Sequence, residues 1–195
     1  MTSAAIIIHT KWQLKQVKEL LDQMQPPRLN WALRNAVNDT AKQLERQAER
    51  DVAKATSIPG RRVKARIYIR PMATADLLEA TVHGSKSPIP LKIFKAKETP
   101  IGVTVRIWGK KQLLPNAFIR GGKFPDRKDL GMDGHIFARI SKNRSPIHKG
   151  SGATIAEAMV QQVISNALVK LSQEHMLVNL KRQFDRYSRS RSARH

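Results

Sequence analysis

A chain of 195 residues with 36 Lys and Arg against 15 Asp and Glu carries a formal charge of +21, and its isoelectric point is near 11. Solubility asks a small domain for a net charge of only about 2 to 8 in magnitude, so the excess points to a partner of opposite sign: DNA, RNA, an anionic membrane or an acidic protein surface. The chain has no cysteine, which excludes disulfides, thiolate metal sites and cysteine nucleophiles.

The apolar residues 4–8 are too few for a signal-peptide core and follow no basic residue. No window approaches the roughly 18 apolar residues of a membrane span, so no membrane partner is expected and folding in a cytoplasm is. The length suits one domain with a core, or one domain with extended arms.

In chain order, Leu14, Val17, Leu21 and Met24 recur at helical spacing and predict a short helix over residues 11–24. Pro26-Pro27 ends it, since proline supplies no N–H and restricts the residue before it. A longer helix is predicted over 30–55, with Leu33, Val37, Ala41, Leu44, Ala48, Val52 and Ala55 on one face. Its other face, with Arg34, Lys42, Glu45, Arg46, Glu49 and Arg50, reads as solvated and salt-bridged. Ser57-Ile58-Pro59-Gly60 breaks that helix. Residues 61–70 then carry five basic residues and no acid. Their second half alternates as a strand with one wet face, and a helical turn at the start is equally allowed.

The middle of the chain predicts an antiparallel sheet of about four strands, from 78–83, 91–95, 101–108 and 136–140, with turns marked by glycines and prolines between them. The last long helix is predicted from about Ala153 to Tyr187. Its apolar stripe is Ile155, Met159, Val163, Leu168 and Leu171, continued by Leu177, Leu180 and Phe184 after a bend. Residues 188–195 hold no apolar residue beyond one alanine and predict a disordered basic tail. The fold class is therefore α+β, a central sheet packed by long N- and C-terminal helices. The organisation is an arm with a short helix over 1–29, a domain over 30–187 and the tail. Both ends of the chain are expected to order only against neighbouring subunits.

No catalytic constellation stands out. The six histidines show no i, i+4 pair, and no acid completes a ligand set. Asp126, Asp129 and Asp133 sit in one polar loop with no apolar surroundings to raise a pKa. Gly150-Ser151-Gly152 lacks the full phosphate-loop spacing and reads as a bare lead into the helix. No metal or cofactor is expected.

The cations cluster instead. One group is Arg61, Arg62, Lys64, Arg66 and Arg70. A second, in and around the long loop, includes Lys110 and Lys111 with Arg120, Lys123, Arg127 and Lys128. A third is Arg139, Lys142, Arg144 and Lys149, and a fourth is Arg182, Arg186, Arg189, Arg191 and Arg194. No sequence-reading module accompanies them and aromatics are only 5%, which leaves contact with phosphates regardless of sequence, or with acidic protein surfaces.

One ordered set of short motifs runs through the chain. A helix of small residues leads into the basic 61–70 segment. Pro115-Asn116-Ala117-Phe118-Ile119 follows, then an alternating strand over 135–142, Ser145-Pro146-Ile147, and a basic helix over 157–187. In this order they resemble the minor tail protein Z (tail completion) family of long-tailed double-stranded-DNA bacteriophages, over residues 30–187. Where that family commonly has a Gly-Pro-Ser-like turn after Pro-Ile, this chain has Lys149-Gly150-Ser151-Gly152.

The resemblance implies a head–tail joining type of subunit without catalysis, a tail-completion or neck component at the head-proximal end of the tail. It implies a hexameric ring around the DNA channel, with Pro115, Ala117, Phe118, Ile119, Pro146 and Ile147 as structural positions. The implied partners are further copies of the chain, the tail terminator, tail tube and neck proteins, and double-stranded DNA passing through the lumen. The implied location is the virion, assembled in the bacterial cytoplasm. The alternatives are a sequence-independent nucleic-acid-binding protein outside any virion, and a nuclease using the 126–133 loop.

Overall fold

Two long helices and three small sheets make up the computed structural model, which describes residues 4–6, 26–140 and 145–192, with side chains placed over 26–140 and 145–187. The helix expected over 11–24, together with Lys142, Arg144 and Arg194, lies outside the described residues.

Helix α1 spans Arg28–Thr56. It starts directly after Pro27, whose missing N–H falls where a helix has no use for one. It stops at Ser57, which turns left-handed (φ 62°) while its N–H closes on the Ala53 carbonyl at 3.1 Å, the usual end for a helix ahead of a proline. The C-terminal half of the expected face is buried: Ala41, Leu44, Ala48 and Val52. In the first half the buried residues are Ala32, Ala36 and Thr40, while Leu33 and Val37 are only half-buried. There α1 meets the last helix closely, and small residues take the line of closest approach.

A helical turn, α2 (Gly60–Lys64), precedes strand β2 (Ile67–Ile69), so the basic 61–70 segment contains both of the elements its pattern allowed. Strand β1 (Ala4–Ile6) and β2 flank β3 (Val82–Gly84), each antiparallel to it. Residues 4–6 thus pair within their own subunit, against the expectation that the first ten residues order only on neighbours.

The second sheet is a meander of β4 (Lys97–Thr99), β5 (Gly102–Ile107) and β6 (Lys110–Pro115). The third joins β7 (Ala117–Phe118), β8 (Phe137–Arg139) and β9 (Ile147–Lys149). The α+β class stands, but the central four-stranded sheet is replaced by three separate three-stranded antiparallel sheets. The strands are short, and prolines at positions 100, 115 and 146 stand at or next to strand ends, because proline has no N–H to extend a ladder.

Residues 91–95 are not a strand. Leu91–Ile93 form a 3₁₀ turn, whose period of three puts Leu91 and Phe94 on one side, and both are buried, Phe94 completely. Residues 78–81 also stay outside the first sheet, and Leu78 is exposed.

Helix α3 (Ile155–Val160) begins with a capping box: the Glu157 N–H donates to Thr154 Oγ1 at 3.1 Å, and the Thr154 N–H to Glu157 Oε2 at 3.0 Å. Gln161 leaves the helical region (φ −56°, ψ 133°), and α4 (Gln162–Ser192) starts anew. This break resets the helical phase. Val163, expected on the buried stripe, is 83% exposed, and Ile164 is buried in its place. The helical backbone continues to Ser192, past the boundary expected near Tyr187 and into the segment expected to be disordered.

All three sheets and the helices share one core, in which Val52, Phe94, Val103, Ile136, Ile155 and Met159 are almost wholly enclosed. A smaller cluster of Ala36, Leu180 and Phe184 sits between the far ends of α1 and α4. Two glycines are required by this packing. A Cβ on Gly102 (φ 154°) would lie 2.1 Å from the Leu114 carbonyl oxygen, and one on Gly152 would lie 2.4 Å from the Phe94 ring. Among the described residues no helix is long and apolar enough to cross a membrane.

Candidate polyanion-binding surface

The first expected cluster is where its pattern puts it: Arg61, Arg62, Lys64 and Arg70 are exposed on α2 and at the end of β2. Arg66 is partly withdrawn, with Nη1 donating to the Ser87 carbonyl at 3.0 Å. Lys110 and Lys111 open the exposed strand β6, and Lys149 is exposed on β9.

A groove of about 1110 Å³ lies between the second and third sheets and brings together Arg120, Arg127 and Arg139 with Ile101, Phe118, Leu130 and Ile140. Among the described residues no acidic side chain lines it. The loop that borders it is braced from β4 by Glu98, whose Oε1 accepts from the backbone N–H of Ile119 (2.8 Å) and of Arg120 (3.0 Å) and pairs with Arg127 at 3.4 Å. Arg127 Nη1 also donates to the Arg120 carbonyl at 3.1 Å. Arg127 is therefore a brace for the loop, whereas Arg120 and Arg139 are exposed. The Arg139 guanidinium lies over the Phe118 ring, 5.5 Å from its centre, an arrangement that holds the cation at the groove wall without neutralising it.

The motif residues divide by position. Ala117 is buried, Phe118, Ile119 and Ile147 are half-buried, and Pro115 and Pro146 are exposed at strand ends. Ala117, Phe118 and Ile147 line the groove. The Pro-Asn-Ala-Phe-Ile element therefore builds one wall of a basic cleft.

A second hollow of about 730 Å³ gathers Arg34, Lys42, Arg182 and Arg186 beside Asp39. Asp39 Oδ2 accepts from Arg182 Nη2 and from Gln183 Nε2, each at 2.7 Å. Arg182 and Arg186 were legible as a cluster. Their meeting with Arg34 and Lys42 was not, because the two pairs lie on opposite long helices. Along the same seam Asn179 Nδ2 donates to Thr40 Oγ1 (2.9 Å) and Gln43 Oε1 (3.0 Å), and Asn35 Nδ2 donates to the Tyr187 hydroxyl at 3.1 Å. The side chains of Arg189 and Arg191 are outside the described residues, although their backbone is helical.

Asp126, Asp129 and Asp133 are all exposed. The Asp129 Oδ1 accepts from the Gly131 N–H at 3.0 Å, a local turn contact. Among the described residues no group of three His, Asp or Glu side chains is placed to hold a metal ion. The Gly150 and Gly152 N–H groups are spent on the Ile136 and Ile89 carbonyls, each at 2.8 Å, so this loop is a structural seam and not a phosphate cradle. Beside the third sheet His135 has a displaced pKa: burial first, then the ammonium groups of Lys149 and Lys92, lower it, with Asp133 pulling the other way.

Comparison of the chain with protein-family models, with curated proteins and with solved structures finds no match in any of the three.

Proposed function

We propose that this chain is a structural component of a long-tailed double-stranded-DNA bacteriophage, a tail-completion or neck subunit forming a ring around the DNA channel. The observation that carries the polyanion part of this reading is the state of the cations. Arg61, Arg62, Lys64, Arg70, Lys110, Lys111, Arg139, Lys149, Arg182 and Arg186 are all exposed. Of these, only Arg182 is held by a carboxylate among the described residues. A surface of this kind favours phosphates of any sequence through counterion release. The phage part rests on the order of motifs from the basic 61–70 segment through Ala117-Phe118-Ile119 and Pro146-Ile147 to the basic helix. Of these motif residues, Ala117, Phe118 and Ile147 line one cleft.

In a ring of +21 subunits, mutual repulsion has to be offset by counter-charge. DNA in the lumen supplies some of it and acidic faces of adjoining rings supply the rest. The reading is tested by locating the subunit in purified particles with a labelled antibody, and by titrating the chain with duplexes of unrelated sequence at several salt concentrations. The expected results are a signal at the head-proximal end of the tail, and binding that is equal across sequences and falls steeply with salt. Absence from particles and from their assembly intermediates overturns the virion reading. Sequence-independent DNA binding that survives this absence favours a free nucleic-acid-binding protein.

A further inference from the structure

The segment between Arg70 and Lys86 reverses the character of the chain: it contains Asp76 and Glu79 and no Lys or Arg. It also exposes Met72 (43%), Leu77 (49%) and Leu78 (41%). Neither acid is ion-paired among the described residues, and Glu79 Oε1 only accepts from the nearby Thr81 hydroxyl at 3.3 Å. The segment is nevertheless held in shape. Asn38 on α1 clamps Ala73 in both directions, accepting its N–H at 2.8 Å and donating to its carbonyl at 3.0 Å. A closed turn follows, with the Thr74 N–H on the Leu77 carbonyl at 2.8 Å and the Leu77 N–H on Thr74 Oγ1 at 3.0 Å. An acidic, apolar knob is thus presented on a fixed base, which reduces the ordering entropy lost when it docks.

The groove between the second and third sheets has the opposite make-up. It presents the exposed cations Arg120 and Arg139 beside the exposed apolar side chains Ile101, Leu130 and Ile140, with no acid in its lining among the described residues. We propose that the 72–79 knob of one copy of this chain docks in the Arg120/Arg139 groove of a second copy. Charge and apolar character match on both counts. In a chain of +21, a contact between copies needs such a local exception to like-charge repulsion. Knob and groove share no residue, so the contact is heterologous: each copy uses its knob on one neighbour and offers its groove to the other, and the chain of contacts closes when the rotation permits. The inference rests on the ring reading above and names the surfaces that would make the ring.

The test is charge exchange in the full-length chain, read by light scattering over a concentration series at low and high salt, with circular dichroism confirming that each variant is folded. The expected results are as follows. The unaltered chain associates. The Asp76→Lys/Glu79→Lys and Arg120→Glu/Arg139→Glu variants each associate at least tenfold more weakly. Mixing these two variants one to one restores assembly, because the basic knob then meets an acidic groove and the acidic knob a basic one. The four substitutions combined in one chain restore it as well. Restoration cannot come from a merely damaged fold. Three results overturn the docking: an unaltered chain that stays monomeric at every concentration, paired variants that assemble as the unaltered chain does, or no rescue on mixing. Loss of duplex DNA binding by Arg120→Glu/Arg139→Glu with assembly intact also overturns it and assigns the groove to phosphates. Location in particles is a separate measurement, so the virion reading can stand while the docking falls, or the reverse.

Discussion

The body around Phe94 and the far end of the α1/α4 pair are held together differently. In the body, apolar side chains from all three sheets, from α1, α3 and the start of α4 converge, and the sheets pair their backbones in antiparallel ladders. At the far end, among the described residues, the buried apolar cluster is Ala36, Leu180 and Phe184. Partly buried Leu29, Leu33 and Met176 pack against it, and polar contacts continue the seam: Asn179 bonds Thr40 and Gln43, and Asp39 bonds Arg182 and Gln183. Two helices alone enclose little volume, so side chains at their seam cannot all be apolar and still be covered. Apolar burial is also non-directional, whereas hydrogen bonds between particular positions set how the helices align along one another. The body supplies stability, and the seam supplies register for a helix that carries Arg182 and Arg186.

Substitutions in the two regions should separate these roles. Phe94→Ala empties the centre of the body and is expected to lower global stability by about 3–5 kcal/mol, seen as one shifted denaturation transition. Asn179→Ala removes the central donor of the seam, leaving the Gln43 carbonyl oxygen without its partner. A loss of about 2–3 kcal/mol is expected, with hydrogen exchange accelerated first in the first half of α1 and the last half of α4. A uniform acceleration across the sheets would show that the seam is no separate unit. Glu98→Ala releases the Ile119 and Arg120 N–H groups and the brace on Arg127. A loss of about 1–2 kcal/mol is expected, read as a lower denaturant midpoint.

The smallest effect concerns His135. Its folded pKa is depressed below the unfolded value of about 6.5, so the native state resists the proton that the unfolded chain accepts. The contribution of this group to stability is fully present above about pH 6.5 and is lost as pH falls toward the folded pKa. Denaturant midpoints measured between pH 7.5 and 5.5 should therefore fall less in His135→Gln than in the unaltered chain. Equal slopes would remove His135 from the pH response.

Helix α1, its stop before Pro59 and the start of the last helical region near Ala153 could be read from the residues, because prolines and the 3.6-residue period act within a turn or two of chain. Most of the cation clusters were legible for the same reason, since their members are near neighbours in sequence. The strands were harder. Leu91 and Ile93 alternate like a strand, yet Phe94 belongs with Leu91 in the core and draws the segment into a 3₁₀ turn. Val163 fits the apolar stripe until Gln161 breaks the helix and resets its phase. Glu98 under the Ile119 and Arg120 amides, Arg34 beside Arg186, and the acidic knob clamped by Asn38 all depend on residues far apart in sequence. Local chain chemistry settles where helices begin and end and which stretches carry charge. Which of those stretches face one another is settled by packing, because that is fixed by contacts between distant segments and leaves no periodic trace in either one.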